Sequence, residues 1–129
     1  MSSAAASKKV VLIAEDYPDI SQLVSDLLRD EGYDVIAVSR GGEVVPAVKQ
    51  YHPAVVLLDL ALPDIPGNAV LERLSMDPET DKVPVIIISA YSERLRRVPQ
   101  VFAVVNKPFE IDVLLNAVNQ ATAARRQAA

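Results

Sequence analysis

Four short apolar runs in this sequence end on side chains that can do chemistry. Val10–Ala14 ("VVLIA") runs into Glu15 and Asp16, Ala54–Leu58 into Asp59, Val83–Ile88 into Ser89, and Val101–Val105 into Asn106 and Lys107. Taken singly, each has a plain explanation. An Asp after a strand makes a turn or caps a helix, a Ser before a helix caps it, and a lone Lys sits in solvent. Taken together they form a chemically coherent set. Three carboxylates brought close repel and raise one another's pKa. A hard divalent cation such as Mg²⁺ relieves that repulsion, taking oxygen ligands and keeping several waters. An aspartate beside such a cation can act as a nucleophile toward phosphorus. A phosphoryl group in transfer carries negative charge on its equatorial oxygens, and a cation, an ammonium and a hydroxyl stabilise it.

These residues converge only if the runs that precede them are parallel neighbours. The sequence alternates accordingly. The continuous apolar run Val10–Ala14 reads as a strand buried on both faces, and Asp34–Ser39, Ala54–Asp59, Val83–Ser89 and Val101–Val105 also read as strands. Between them lie segments of helical period. Ile20, Leu23, Val24, Leu27 and Leu28 form one stripe that Gly32 closes. A second helix covers Gly41 to about Tyr51, with Pro46 weakening its middle or forcing a late start. A third covers about Asn68–Ser75 behind a Pro- and Gly-rich loop, and Ser92–Val98 allows at most two turns. The last helix carries Ile111, Leu114, Leu115 and Val118 on one face, and its Ala- and Arg-rich end, Ala121–Ala129, is expected to fray. Strand and helix alternating five times imply βαβ units, hence an α/β fold with a parallel sheet covered by helices on both faces. The carboxyl ends of the strands then share one edge, where open parallel sheets bind ligands near the switch in strand order.

Composition narrows the function classes. The chain has 129 residues, enough for one domain with a hydrophobic core; half are apolar and 23% charged, as in ordinary globular proteins. The formal net charge of -4 argues against nucleic acid as the main partner. With no Cys and one His, His52, disulfides, thiolate chemistry and His-rich metal sites are excluded. "MSSAAASKK" has no signal-peptide pattern, and no apolar run approaches a membrane span, so a cytoplasmic location is expected.

With these residues in view, "VVLIAEDYPDI", "VVLLDLALPDIPG", "VPVIIISAYS" and "VNKPFE" resemble, in order and spacing, the four signature segments of receiver domains of two-component response regulators. The resemblance covers about residues 9–123, leaving 1–8 as a flexible N-terminal tail and 124–129 as a C-terminal tail. It implies a flavodoxin-like, doubly wound (βα)5 fold with strand order 2-1-3-4-5. It implies that Asp59 accepts a phosphoryl group from a histidine kinase or histidine phosphotransfer protein. Glu15, Asp16, Asp59 and the backbone carbonyl of Ala61 would hold Mg²⁺. Ser89 would be the switch hydroxyl, Lys107 would bind a phosphoryl oxygen, and the Lys107–Pro108 peptide would be cis. Such a domain is not an enzyme beyond its own phosphoryl transfer and dephosphorylation, and a stand-alone one signals through a downstream protein partner or a phosphorelay.

Departures from the family pattern locate what is particular to this chain. Glu15 stands where Asp is also common and keeps the charge. Ala61, two residues after Asp59, leaves room for attacking water, whereas Tyr91, two residues after Ser89, is bulky enough to shield the site. Val104 stands where the family usually has Tyr or Phe on the fifth strand, a ring that turns inward when the switch hydroxyl moves. The segment between Ser89 and Lys107 is about one helical turn shorter than typical, so the fourth helix is expected to be short or irregular. Its Arg94, Arg96 and Arg97 make either a solvated charged face or a docking patch for an acidic partner. The enzyme alternative is an aspartate-nucleophile Mg²⁺ phosphatase of the haloacid dehalogenase type, but its second Asp is replaced by Ala61. A flavodoxin-like cofactor carrier would need a phosphate-cradling loop where this chain has acidic "EDYPD". A receiver that has lost phosphorylation, and a receiver fragment of a larger regulator, complete the alternatives.

Overall fold

A computed structural model describes residues 9–128; the tail expected at 1–8 lies outside the described residues. Five strands form one parallel sheet: β1 (Val10–Ala14), β2 (Asp34–Val38), β3 (Val55–Asp59), β4 (Val85–Ser89) and β5 (Val101–Asn106). Their order is β2-β1-β3-β4-β5, so the expected topology holds and the order reverses between β1 and β3. Four α-helices pack on the sheet: α1 (Pro18–Asp30), α2 (Val44–Tyr51), α3 (Gly67–Met76) and α4 (Ile111–Ala128). Ala and Arg are strong helix formers, and α4 remains helical through Ala128. Among the described residues no helix is long and apolar enough to cross a membrane.

The pleat sorts each strand's residues between two cores. Leu12, Ala14, Val56, Leu58, Val85 and Ile87 face one, where Val44 and Val48 of α2 and Val70, Leu71 and Leu74 of α3 meet them. Val11, Ile13, Val55, Leu57, Ile86 and Ile88 face the other, closed by Val24 and Leu28 of α1 and Leu114 and Val118 of α4. With every residue of β3 and β4 buried, these strands are the fixed reference for whatever stands at their ends. The expected α1 stripe is narrower than its period suggests: Leu23 is exposed, and Ser25 is buried beside Val24 instead. Gly32 follows α1 at φ +95°, the left-handed region that suits Gly. Helix α2 starts late, after a 3-10 turn at Gly41–Glu43. Pro46 then falls in its first turn, where a missing N–H costs no helical bond.

The expected shortening falls between β4 and β5. One 3-10 turn, Ser92–Arg94, is all the helix that forms there. Eleven residues, Ala90–Gln100, must return the chain along the sheet to the start of β5. A five-residue strand is about 17 Å long, and eleven helical residues rise only about 16 Å, leaving none for turns. The chain therefore extends after Arg94. Leu95 and Val98 still pack, with Val104 of β5, on the α2–α3 core, covering the face where a full helix would lie.

Candidate functional site at the carboxyl edge of the sheet

The sheet delivers Glu15 one residue beyond β1 and Asp59 as the last residue of β3, on the two strands flanking the order switch. Both are buried, 2% and 4% exposed. Carboxylates so placed need partners, and they have them. The Lys107 ammonium, one residue past β5, donates to Glu15 Oε1 at 2.6 Å and to Asp59 Oδ2 at 2.8 Å. The Tyr17 N–H donates to Glu15 Oε2, and the Ala61 N–H to Asp59 Oδ1 at 3.0 Å. Every oxygen of the two buried acids is thus engaged. Asp16 is exposed beside them, and one carboxylate oxygen from each of Glu15, Asp16 and Asp59 falls within a 4.8 Å cluster.

Electrostatics follows from this crowding. Burial raises the pKa of Glu15 above the ordinary carboxylate value; the nearby Asp59 charge pushes the same way, and the Lys107 hydrogen bond opposes both. Burial alone would lower the pKa of Lys107, but its hydrogen bonds to Asp59 and Glu15 outweigh that and raise it. Three carboxylates face one ammonium, so the cluster keeps net negative charge. Clustered oxygen donors with uncompensated charge fit a hard divalent cation.

An open pocket lies over the cluster, and Glu15, Asp16, Asp59, Ala61, Tyr91 and Lys107 contribute to its lining. Five of the six candidates for binding metal or a phosphoryl group therefore share one pocket. Ser89 is the sixth. It ends β4 fully buried, and its Oγ accepts the Tyr91 N–H at 2.9 Å rather than facing the pocket. Its backbone helps to set Lys107, because the Lys107 N–H donates to the Ser89 carbonyl at 2.9 Å and extends the β4–β5 ladder. The Lys107–Pro108 peptide that follows is cis, as expected. Tyr91 stands 49% exposed at the pocket wall with the Arg94 guanidinium 4.7 Å from its ring centroid, within cation–π range.

Three supporting residues were not singled out in the sequence. Gly67 opens α3 against the end of β3: its N–H donates to the Leu60 carbonyl at 2.8 Å, and a Cβ there would stand 2.4 Å from Leu60 Cα and 2.8 Å from the Asp59 carbonyl oxygen. Asp64, in the same loop, accepts the N–H groups of Gly41 and Gly42 at 2.7 and 3.0 Å. These bonds hold its pKa below the ordinary value, Gly42 contributing most. Asn68 grips the β4–β5 connection with both ends of its carboxamide: Nδ2 donates to the Arg94 carbonyl and Oδ1 accepts the Arg96 N–H, both at 2.8 Å. "DIPG" and the Gly41–Gly42 pair were the available signals for the first two. Nothing in the sequence marks Asn68.

Comparison with known proteins gives a consistent picture. Residues 11–119 match the response regulator receiver domain family. Protein Rrf1 of Nitratidesulfovibrio vulgaris is 33% identical over 113 residues, 88% of this chain and 82% of its own. The polar-differentiation response regulator DivK of Brucella ovis is 33% identical over 94 residues, 69% of this chain and 76% of its own. The receiver domain of a sensor histidine kinase from Pseudomonas aeruginosa, solved with a magnesium ion coordinated in its active-site cleft, shares the fold. It superposes with a TM-score of 0.81 at 21% identity, covering 91% of this chain and 99% of that one.

Proposed function

We propose, on the premise that this chain belongs to the response regulator receiver domain family of two-component systems, that it accepts a phosphoryl group on Asp59. The observation that carries this is the meeting of Asp59 with two further carboxylates within 4.8 Å and an ammonium at 2.8 Å. The donor is a phosphohistidine of a kinase or phosphotransfer protein. A carboxylate oxygen of Asp59 attacks phosphorus, a P–O bond forms as the P–N bond breaks, and the imidazole leaves with the electron pair and takes up a proton. Glu15, Asp16, Asp59 and the Ala61 carbonyl would hold Mg²⁺, which when bound supplies positive charge to the phosphoryl oxygens. The magnesium in the cleft of the Pseudomonas aeruginosa receiver domain supports that assignment.

Lys107, bonded to Asp59 Oδ2 at 2.8 Å, supplies the ammonium for a phosphoryl oxygen. Ser89 supplies the hydroxyl after releasing the Tyr91 N–H. The resulting change biases the surface toward a downstream protein partner or a phosphorelay. In this reading the receiver domain spans residues 9–123, acts in the cytoplasm, needs neither nucleic acid nor a membrane span, and turns over no substrate beyond its own acyl phosphate.

The test is intact-mass analysis of the full chain with Mg²⁺ and acetyl phosphate, beside Asp59→Asn. A Mg²⁺-dependent gain of one phosphoryl group in the parent and none in the variant is expected. An equal gain in the variant, or none in either, contradicts the assignment. Hydrolysis of many phosphate esters would point instead to a phosphatase.

A further inference from the structure

We infer that Asn68 is a positioning residue that couples Asp59 to the Tyr91–Val98 connection, so that this connection responds to phosphorylation in place of a turning aromatic on β5. The inference rests on the phospho-acceptor reading above.

The connection is held at two ends. At its head, the Tyr91 N–H is bonded to Ser89 Oγ, and the Ser92 hydroxyl is bonded to Asn106 Oδ1, next to Lys107. The first hold is on Ser89 and the second on the neighbour of Lys107, the two residues that would close on a phosphoryl group. Further along, Asn68 grips the Arg94 carbonyl and the Arg96 N–H. A carboxamide used in this way mimics a neighbouring strand and fixes the backbone on both sides of Leu95. Asn68 is itself backed by the acceptor loop, because Gly67 before it is wedged against the Asp59–Leu60 backbone. One side chain therefore connects the peptide carrying Asp59 to the connection that leads away from Ser89.

When the Ser89 hydroxyl turns to a phosphoryl oxygen, the Tyr91 N–H loses its acceptor. The head of the connection then keeps only the Ser92–Asn106 bond, and the Asn68 grip is the remaining hold that resists a shift. On β5 the residue available to respond is Val104, which packs with Leu95 and Val98 on one core. It has no ring to turn, so displacement of Leu95 and Val98 is the change the packing can transmit. Coupling of this kind is reciprocal: if occupancy of Asp59 loosens the grip, then loosening the grip must favour occupancy.

Reciprocity supplies a readout that a purely structural role would not move. Beryllofluoride, a reversible mimic of the aspartyl phosphoryl group, is titrated with Mg²⁺ into the full chain and into Asn68→Ala, with hydrogen exchange followed over residues 91–98. In the parent, beryllofluoride is expected to speed exchange there. In Asn68→Ala, exchange is expected to be about tenfold faster before any addition, since two hydrogen bonds are lost. It then changes little on binding, and beryllofluoride binds about fivefold more tightly. Asn68→Asp keeps an acceptor for the Arg96 N–H but has no donor for the Arg94 carbonyl, and should fall between. It decides the matter if Asn68→Ala does not fold.

Parent-like affinity and a parent-like exchange response in the variants overturn the inference while leaving the acceptor reading intact. Failure of the parent to bind beryllofluoride, or to gain a phosphoryl group, overturns both.

Discussion

The acceptor pocket and the β4–β5 connection lie side by side, and they are built in opposite ways. Glu15 and Asp59 stand at the ends of β1 and β3, whose interiors are buried, Lys107 reaches them from the end of β5, and every oxygen of the two buried carboxylates is bonded. The connection has one 3-10 turn, then extended chain held by two hydrogen bonds to a single side chain. The pocket gathers three carboxylates and one ammonium, while the neighbouring connection is rebuilt on a shorter path. Chemistry fixes residue types and positions within fractions of an ångström. A responsive surface needs only two arrangements of similar energy, so it tolerates such rebuilding.

Perturbations at the pocket should therefore be costly and those at the connection mild. Gly67→Ala drives a Cβ into backbone that cannot rotate aside, so a loss of about 3 kcal/mol is expected from urea unfolding. A neutral result would mean that the acceptor loop is not rigidly backed. Lys107→Ala leaves Glu15 and Asp59 buried without their ammonium. Because the Lys107 side chain is 19% exposed, the expected loss is about 2 kcal/mol at neutral pH, below the fully buried case. Millimolar Mg²⁺ should raise the melting temperature of this variant more than that of the parent.

The same pair sets a pH dependence. The folded-state pKa of Lys107 lies above its ordinary 10.5. Its stabilisation is thus fully present below 10.5 and is lost as pH climbs through the raised value. Lys107→Ala should lack that alkaline fall in stability; an identical fall in both proteins would show that the ion pair contributes nothing.

Val104→Ala, half-buried on β5, should cost about 1 kcal/mol with no change in phosphoryl uptake. Reduced uptake would show that β5 still reports on the pocket. The smallest effect is expected at Asp64, whose carboxylate is held ionised by Gly42 and Gly41. A depressed pKa stabilises above the ordinary 3.8 and ceases to as pH falls through the folded value. Asp64→Ala should therefore flatten the acid limb of the stability curve slightly, and an unchanged limb would remove the carboxylate from that role.

The central strands and the acidic residues at their ends were legible because burial on both faces writes continuous apolar runs, and a polar residue ending such a run stands out; the strand order came from the family resemblance. Asp59 at the end of "VVLLD" is the clearest case. The shortened connection was legible as a deficit in length, but its path was not. Leu95 and Val98 are spaced for one face of a helix, and only the distance back to Val101 forces the chain to extend. The grip of Asn68 was hidden for a different reason. It joins residues 26 and 28 positions apart through backbone atoms, and backbone partners leave no trace in side-chain identity. Leu23 misled the helical stripe because period alone does not say how wide a face the sheet covers.

The most direct measurement is to locate the phosphoryl group itself. After treatment with Mg²⁺ and acetyl phosphate, borohydride reduction converts an aspartyl phosphate to homoserine, which peptide mass spectrometry assigns to a position. Homoserine at position 59, dependent on Mg²⁺, is the expected result. Label at Glu15 or Asp16, or none at Asp59 while the protein remains folded, would contradict the account.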